Sequence, residues 1–166
     1  ANFRSTLILG YGLEGKFAYS YLRHKYPDFK FAIADKNPIT LSDKQINSIS
    51  GKNYLNAVND YEVIIKSPGI SDLETPIINA KSAGREITSI TNMFLAVYGA
   101  QTIGVTGTKG KSTTASLIYG ILKAAGKKVF LIGNIGFDPL EHLTAKFEAN
   151  KIFVYELSSY QLSSAN

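Results

Sequence analysis

The sequence predicts an α/β fold with two successive domains, each built on a parallel sheet. Three observations carry this. Short β-branched or apolar runs alternate with segments whose apolar residues recur at helical spacing. The succession strand, glycine-rich turn, helix occurs twice, at Leu7 to Tyr26 and again at Ile103 to Ala125. The second of these turns is Gly107-Thr108-Lys109-Gly110-Lys111-Ser112, a phosphate-binding composition between a strand and a helix.

The strands expected, in order, are Thr6 to Leu9, Phe31 to Ala34, Glu62 to Ile65, Thr102 to Val105, Lys128 to Ile132 and Ile152 to Tyr155. Each is a short apolar or β-branched run bounded by turn-forming residues. After the first, Phe17, Ala18, Tyr21 and Leu22 recur at helical spacing, and Pro27 stops that helix. Leu117, Ile118, Ile121, Leu122 and Ala125 repeat the pattern, with Gly126 as the helix end. Ile152-Phe153-Val154-Tyr155 is apolar without alternation, the mark of a strand covered on both faces. The boundary falls near Val97 to Gln101, giving domains 1–98 and 99–166. The second has about three strands, too little to bury a core by itself. The chain is therefore expected to be a piece of a longer protein, with its second domain incomplete. A sheet edge left open in this way favours self-association.

Composition narrows the function classes. No apolar run approaches the ~18 residues of a membrane span, and the first residues lack the basic head and apolar block of a signal peptide. Cysteine is absent, which excludes disulfides and thiolate metal sites and fits the cytoplasm. A net charge of +5 suits an anionic ligand. The lysines are scattered and form no basic stripe interleaved with aromatics, so nucleic acid is not expected.

Gly10-Tyr11-Gly12-Leu13-Glu14-Gly15 fits G-x-G-x-x-G, follows a strand and opens a helix, and Asp35 ends the next strand. That pattern suits a dinucleotide, with the acid on a ribose hydroxyl. It equally suits another nucleotide-type ligand, or tight strand-to-helix packing with no ligand. Ser67-Pro68-Gly69-Ile70 closes the third expected strand, where open α/β sheets bind ligands, and is otherwise a plain turn.

The second loop is the more specific. Backbone N–H groups from Thr108 to Ser112, the helix N-terminus and the Lys111 ammonium converge on one spot, an arrangement that favours a polyphosphate. Lys111 can lie along the β- and γ-phosphates, and the Ser112 hydroxyl can ligate Mg²⁺. The common P-loop has its first glycine where this chain has Val105; here the glycines are Gly104 and Gly107. Glu156 ends the strand expected beside the loop strand, placed to serve the metal much as a Walker-B acid does. Gly133-Asn134-Ile135-Gly136 leaves a strand at the same edge, where Asn134 either meets substrate or makes the turn. His24 and His142 lack ligand-type neighbours and read as surface or packing residues.

Thr106-Gly107-Thr108-Lys109-Gly110-Lys111-Ser112-Thr113 resembles the ATP loop of the Mur ligases and their folylpolyglutamate synthase relatives, whose glycines depart from the common P-loop in this way. Glu156-Leu157-Ser158-Ser159-Tyr160-Gln161-Leu162, with Gly133-Asn134-Ile135-Gly136 before it, is similar to the branch acting on UDP-N-acetylmuramoyl-L-alanine and D-glutamate. The first glycine loop, Asp35 and Ser67-Pro68-Gly69-Ile70 also match that family's N-terminal domain, so the resemblance spans nearly the whole chain.

The resemblance implies a Rossmann-like domain that holds the UDP portion of a substrate rather than NAD, followed by a truncated P-loop α/β domain. It implies ATP and Mg²⁺, with Gly107, Thr108, Lys109, Gly110, Lys111, Ser112 and Thr113 around the ATP phosphates and Ser112 and Glu156 on the metal. Lys111 and Glu156 would be the catalytic pair. Leu13, Glu14, Asp35 and Lys36 would lie by the uridine, and Ser67 and Gly69 by the pyrophosphate or sugar. Asn134, Ser158, Ser159 and Gln161 would face the muramoyl end. The rest of the central domain and a C-terminal domain would complete the ATP and D-glutamate sites, in an enzyme expected to be monomeric. The 166 residues alone would then lack ligase activity.

Overall fold

A computed structural model describes residues 4–136, 138–144 and 146–163. The chain divides into two compact units, Ala1–Ile90 and Thr91–Asn166. In the first, β1 (Thr6–Leu9), β2 (Ala32–Asp35), β3 (Asn47–Ser50), β4 (Val63–Lys66) and β5 (Glu86–Thr88) form one parallel sheet in the order β3-β2-β1-β4-β5. Helix α1 (Leu13–Lys25) follows β1, a 3-10 helix covers Tyr54–Asp60, and α2 (Thr75–Ser82) joins β4 to β5.

β1 is the centre of this sheet, and Leu7, Ile8 and Leu9 are fully buried. Burying a side chain of this size stabilises by about 1.5–3 kcal/mol. Leu7 and Leu9 pack with Ala32, Ala34, Val58, Ile64 and Ile77 on one face. α1 ends at Lys25, just before Pro27, and its last turn carries Arg23, His24 and Lys25 against the negative end of the helix dipole.

Two strands escape the sequence pattern. β3, Asn-Ser-Ile-Ser, and β5, Glu-Ile-Thr, are the two edges of the sheet; β3 is mostly exposed, β5 is only partly buried, and each sends one isoleucine, Ile49 or Ile87, onto the core. Edge strands need no apolar run, so periodicity passes over them. The strand that Ser67-Pro68-Gly69-Ile70 closes is therefore the fourth, β4, and not the third.

The second unit contains α3 (Ile90–Tyr98), β6 (Thr102–Val105), α4 (Lys111–Ala124), β7 (Lys128–Gly133), α5 (Glu141–Thr144), β8 (Lys151–Glu156) and α6 (Ser159–Ser163). Its three strands are parallel in the order β6-β8-β7. Phe94 and Tyr98 of α3 are buried with Ile132, Phe153, Tyr155 and Leu157. This packing groups residues 91–98 with the second unit, whereas the sequence reading placed the boundary after residue 98. The central strand β8 is covered on both faces: Phe153 and Tyr155 face α3, and Val154 packs with Val105 and Ala115.

α4 ends with Gly126 one residue past its cap, at φ 72°, where its N–H donates to the Lys123 carbonyl at 3.0 Å and that of Lys127 to Leu122 at 3.0 Å. The apolar face expected of this helix is split. Ile118 and Leu122 pack on the Val105–Val154 core, while Leu117 and Ile121 are exposed. Among the described residues no helix is long and apolar enough to cross a membrane. The last residues, 164–166, lie outside the described ones.

Candidate functional site

In the first unit the strand order reverses between β1 and β4, so their carboxyl ends open the crevice where such sheets take ligands. The three glycines of the first loop divide in their roles. Gly10 is at φ 92°, and a Cβ there would sit 2.8 Å from Ser67 Cβ. A Cβ on Gly15 would meet the Gly10 carbonyl oxygen at 2.0 Å, so α1 packs on the loop only with glycine at that position. A Cβ on Gly12 would meet nothing within 4 Å. Packing accounts for the first and third glycines; the second faces open space, where a bound phosphate needs close backbone approach.

Asp35 closes β2 beside this loop. One carboxylate oxygen accepts the Tyr11 N–H at 2.6 Å and the other the Asn37 N–H at 2.7 Å. The acid thus fixes the glycine loop to the exit of β2 while keeping further lone pairs for a ligand. Lys36 beside it is exposed, as is Leu13 on the first turn of α1, and Glu14 is half-buried. The Ser67 N–H donates to the Leu9 carbonyl at 2.8 Å, and its hydroxyl donates to the Gly10 carbonyl at 3.0 Å. Gly69 is exposed with no atom within 4 Å of an added Cβ. The loop, Asp35 and Ser67 therefore share one edge of the sheet. Lys66, a buried cation at that edge, was missed; its signal was a charge closing the apolar run Val63-Ile64-Ile65.

In the second unit the carboxyl ends of all three strands meet. Glu156 is in register with Val105 on one side and Gly133 on the other. The Leu157 N–H donates to the Val105 carbonyl at 2.9 Å, and the Asn134 N–H to the Glu156 carbonyl at 3.3 Å. Gly133, at φ 104°, is required here, because a Cβ would lie 2.4 Å from the Glu156 carbonyl oxygen. The side chain of Glu156 is 3% exposed, and its Oε2 has no hydrogen-bond partner. A buried carboxylate oxygen without a partner is costly unless a cation or donor meets it.

The loop leaving β6 is exposed from Thr106 to Gly110, and Ser112 and Thr113 at the start of α4 are exposed as well. Gly110 caps α4 in the left-handed region at φ 76°, and Gly107 lies at φ 149°. Lys111, the first residue of α4, folds back so that its Nζ donates to the Gly107 carbonyl at 2.8 Å. Its ammonium is thus held over the loop whose N–H groups and helix end attract an anion. Lys109 and Thr108 lie on the exposed arc.

Ser158 and Gln161 have a local use that the sequence reading did not assign. The Gln161 Oε1 accepts the Ser158 N–H at 2.6 Å, and the Gln161 N–H donates to Ser158 Oγ at 3.2 Å. This is a capping box at the start of α6, and its S-x-x-Q signature was present in the sequence. Ser159 and Asn134 are exposed. His142 is half-buried edge-on to Phe130 and Phe153, and burial holds its pKa below the ordinary histidine value.

Residues 105–166 match the model of the Mur ligase middle domain. The UDP-N-acetylmuramoylalanine–D-glutamate ligase of Clostridium acetobutylicum is 33% identical over 167 residues, covering 96% of this chain. The ligase of the same name from Buchnera aphidicola subsp. Schizaphis graminum is 36% identical over 161 residues and 96% of the chain. That of Clostridium kluyveri is 37% identical over 126 residues and 76% of the chain. The chain belongs to the Mur ligases. It spans only 36%, 36% and 27% of the length of these three Mur ligase relatives, respectively. The fold is also that of a solved Mur ligase, the UDP-N-acetylmuramate:L-alanyl-gamma-D-glutamyl-meso-diaminopimelate ligase from Neisseria meningitides. It is 18% identical with a TM-score of 0.51, covering 93% of this chain and 52% of that one.

The residues present fit a divalent cation. Mg²⁺ takes one or two carboxylates and completes its shell with water and phosphate oxygens. The buried Glu156 with its open Oε2 supplies such a carboxylate. Among the described residues no group of three or more His, Asp or Glu side chains gathers at this site or any other.

Proposed function

We propose that these residues serve an ATP-dependent ligase that joins D-glutamate to UDP-N-acetylmuramoyl-L-alanine in the cytoplasm, the activity belonging to a protein of the relatives' length. The observation that carries this reading is the buried Glu156 carboxylate, open at Oε2, at the sheet edge from which the glycine-rich loop departs. The 33–37% identity to ligases of that name supports the choice of substrates.

A carboxylate is a poor electrophile, so amide formation needs it activated first. In the proposed reaction a carboxylate oxygen of the muramoyl-alanine attacks the γ-phosphorus of ATP and ADP departs, giving an acyl phosphate. The amine of D-glutamate then attacks the acyl carbon, loses a proton, and inorganic phosphate leaves. Mg²⁺, when bound, supplies positive charge against the β- and γ-phosphate oxygens. The chain's own contribution is placement and charge. Backbone N–H groups from Gly107 to Thr113 cradle the phosphates, Lys111 swings from the Gly107 carbonyl to the γ-phosphoryl, and Ser112 and Glu156 hold the metal. Leu13, Glu14, Asp35 and Lys36 hold the uridine, Ser67 and Gly69 the diphosphate or sugar. Asn134, Ser158, Ser159 and Gln161 serve the muramoyl end.

Phosphate release by the protein carrying these residues at the relatives' length tests the reading. With ATP and UDP-N-acetylmuramoyl-L-alanine, release is expected to require D-glutamate, and Lys111→Ala is expected to abolish it. ATP hydrolysis indifferent to any amino acid would sink the ligase assignment. Thermal stabilisation of the chain by NAD but not by UDP would sink the assignment of the first loop.

A further inference from the structure

The first unit buries a cation for which the nucleotide reading has no use. Lys66 closes β4 in register with Leu9 and is 3% exposed. A buried ammonium is costly unless charges and hydrogen bonds compensate it. Here Nζ donates to the Ile70 carbonyl at 2.7 Å and lies 3.7 Å from the Asp72 carboxylate, which Lys81 also engages at 3.0 Å. Glu14, on the first turn of α1, adds a second negative charge acting on it.

These contacts make Lys66 a strut across the turn Ser67-Pro68-Gly69-Ile70. The near end of the turn is tied to the first glycine loop by the Ser67 N–H on Leu9 and the Ser67 hydroxyl on Gly10. The far end is tied by the ammonium on Ile70. Between the two ties Gly69 stands exposed, with open space where a Cβ would be. The ammonium itself is turned into the protein, onto the Ile70 carbonyl and toward Asp72.

We propose that Lys66 is a positioning residue whose ammonium holds the Ser67–Ile70 turn in the shape that receives the diphosphate of a uridine nucleotide, without touching the nucleotide. The inference rests on the nucleotide reading of the first unit. It has a signature in pH. Burial pulls the Lys66 pKa below that of an ordinary lysine; Asp72 and Glu14 oppose this shift, and Lys81 adds to it. Burial pushes the Tyr11 and Tyr54 hydroxyls upward, the direction opposite to that of Lys66. Deprotonation converts a charge-assisted hydrogen bond into an ordinary one of roughly half the strength.

Calorimetric titration of the 166-residue chain with UDP, from about pH 7 to about pH 10, tests this against Lys66→Arg and Lys66→Met. Uracil's own N3–H titrates in this range, so the readout is the ratio of wild-type to Lys66→Arg affinity. Arginine stays protonated throughout. The ratio is expected to fall as pH rises, and Lys66→Met is expected to bind UDP roughly tenfold more weakly at neutral pH. A purely structural role would lower the thermal midpoint of Lys66→Met yet leave its UDP affinity intact; that result overturns the proposal. A pH-independent wild-type to arginine ratio overturns it too, and decides the matter if the methionine variant does not fold. No UDP binding by the wild-type chain overturns the nucleotide reading and this inference together, whereas binding with an unchanged ratio overturns this inference alone.

Discussion

Glu156 stands in register with Val105 across the β6–β8 pairing, and the next residue, Leu157, donates its N–H to the Val105 carbonyl at 2.9 Å. The acid is thereby fixed to the strand that feeds the glycine-rich loop, so the carboxylate and the point where the loop departs keep a constant relation. Rigid strands place such a group more precisely than loops can.

Glu156→Gln tests whether that carboxylate is kept for a cation. Glutamine preserves the shape and removes the buried charge, which in the metal-free protein costs stability. The variant is expected to unfold at the same temperature as the wild type or higher, while Mg²⁺ no longer strengthens ATP binding in titration calorimetry. A Mg²⁺ effect of wild-type size in the variant would exclude Glu156 as a ligand.

The first glycine loop permits a sharper separation of packing from function. A Cβ on Gly15 collides with the Gly10 carbonyl oxygen at 2.0 Å, whereas one on Gly12 meets no atom within 4 Å. Gly15→Ala is expected to destabilise the chain by about 2–3 kcal/mol through overpacking. Gly12→Ala should cost under about 1 kcal/mol, the difference between glycine and alanine at a helix N-cap, and yet weaken UDP binding. Thermal unfolding and UDP titration of the two variants check both halves; equal losses of stability would contradict the division.

How much of this was legible in the sequence follows from where each residue lies. The central strands β1 and β8 are buried on both faces, so Leu7-Ile8-Leu9 and Phe153-Val154-Tyr155 had to be apolar and could be read directly. The edges β3 and β5 answer to no such demand, and α3 hides its allegiance because Phe94 and Tyr98 find their partners more than 30 residues along the chain. The convergence of Lys111, Asn134 and Glu156 on one edge was legible because parallel strands with helical crossovers put their loops at the same end. The internal uses of Asp35, Ser158 and Gln161 depend on hydrogen bonds that spacing alone does not fix, although S-x-x-Q did signal the last two. Lys66 left only a weak mark, a charge closing the apolar run Val63-Ile64-Ile65, because a lysine at a strand end ordinarily reaches water.

Asp138 gives the second unit a pH dependence of known sign. Burial raises its pKa to about 6, against the hydrogen bond it accepts from the Leu140 N–H at 2.8 Å, with Glu141 adding to the rise. Its pKa when folded lies above its value when unfolded. Its contribution is therefore fully present below about pH 4 and is lost as pH rises to about 6. Asparagine keeps the acceptor and cannot ionise. Asp138→Asn is expected to match the wild type near pH 4 and to exceed it at pH 7.5 by about 1 kcal/mol, a figure reduced for solvent screening at a half-buried site. Thermal unfolding at the two pH values reads the difference, and a variant no more stable at the higher pH would show that the ionised carboxylate is not strained there.

Ser158 separates cap from contact in the same way. Its hydroxyl accepts the Gln161 N–H at 3.2 Å, and its N–H meets Gln161 Oε1 at 2.6 Å, so the two residues together stabilise the start of α6. Ser158→Ala removes one half of the box and is expected to weaken α6 locally by about 1 kcal/mol. The amide of Leu162, which donates to the Ser158 carbonyl at 3.1 Å, should then exchange its hydrogen roughly fivefold faster. Ser158→Thr retains the capping oxygen and should return the Leu162 exchange rate to nearly the wild-type value. Threonine exchange as fast as that of alanine would mean that the hydroxyl does not cap the helix.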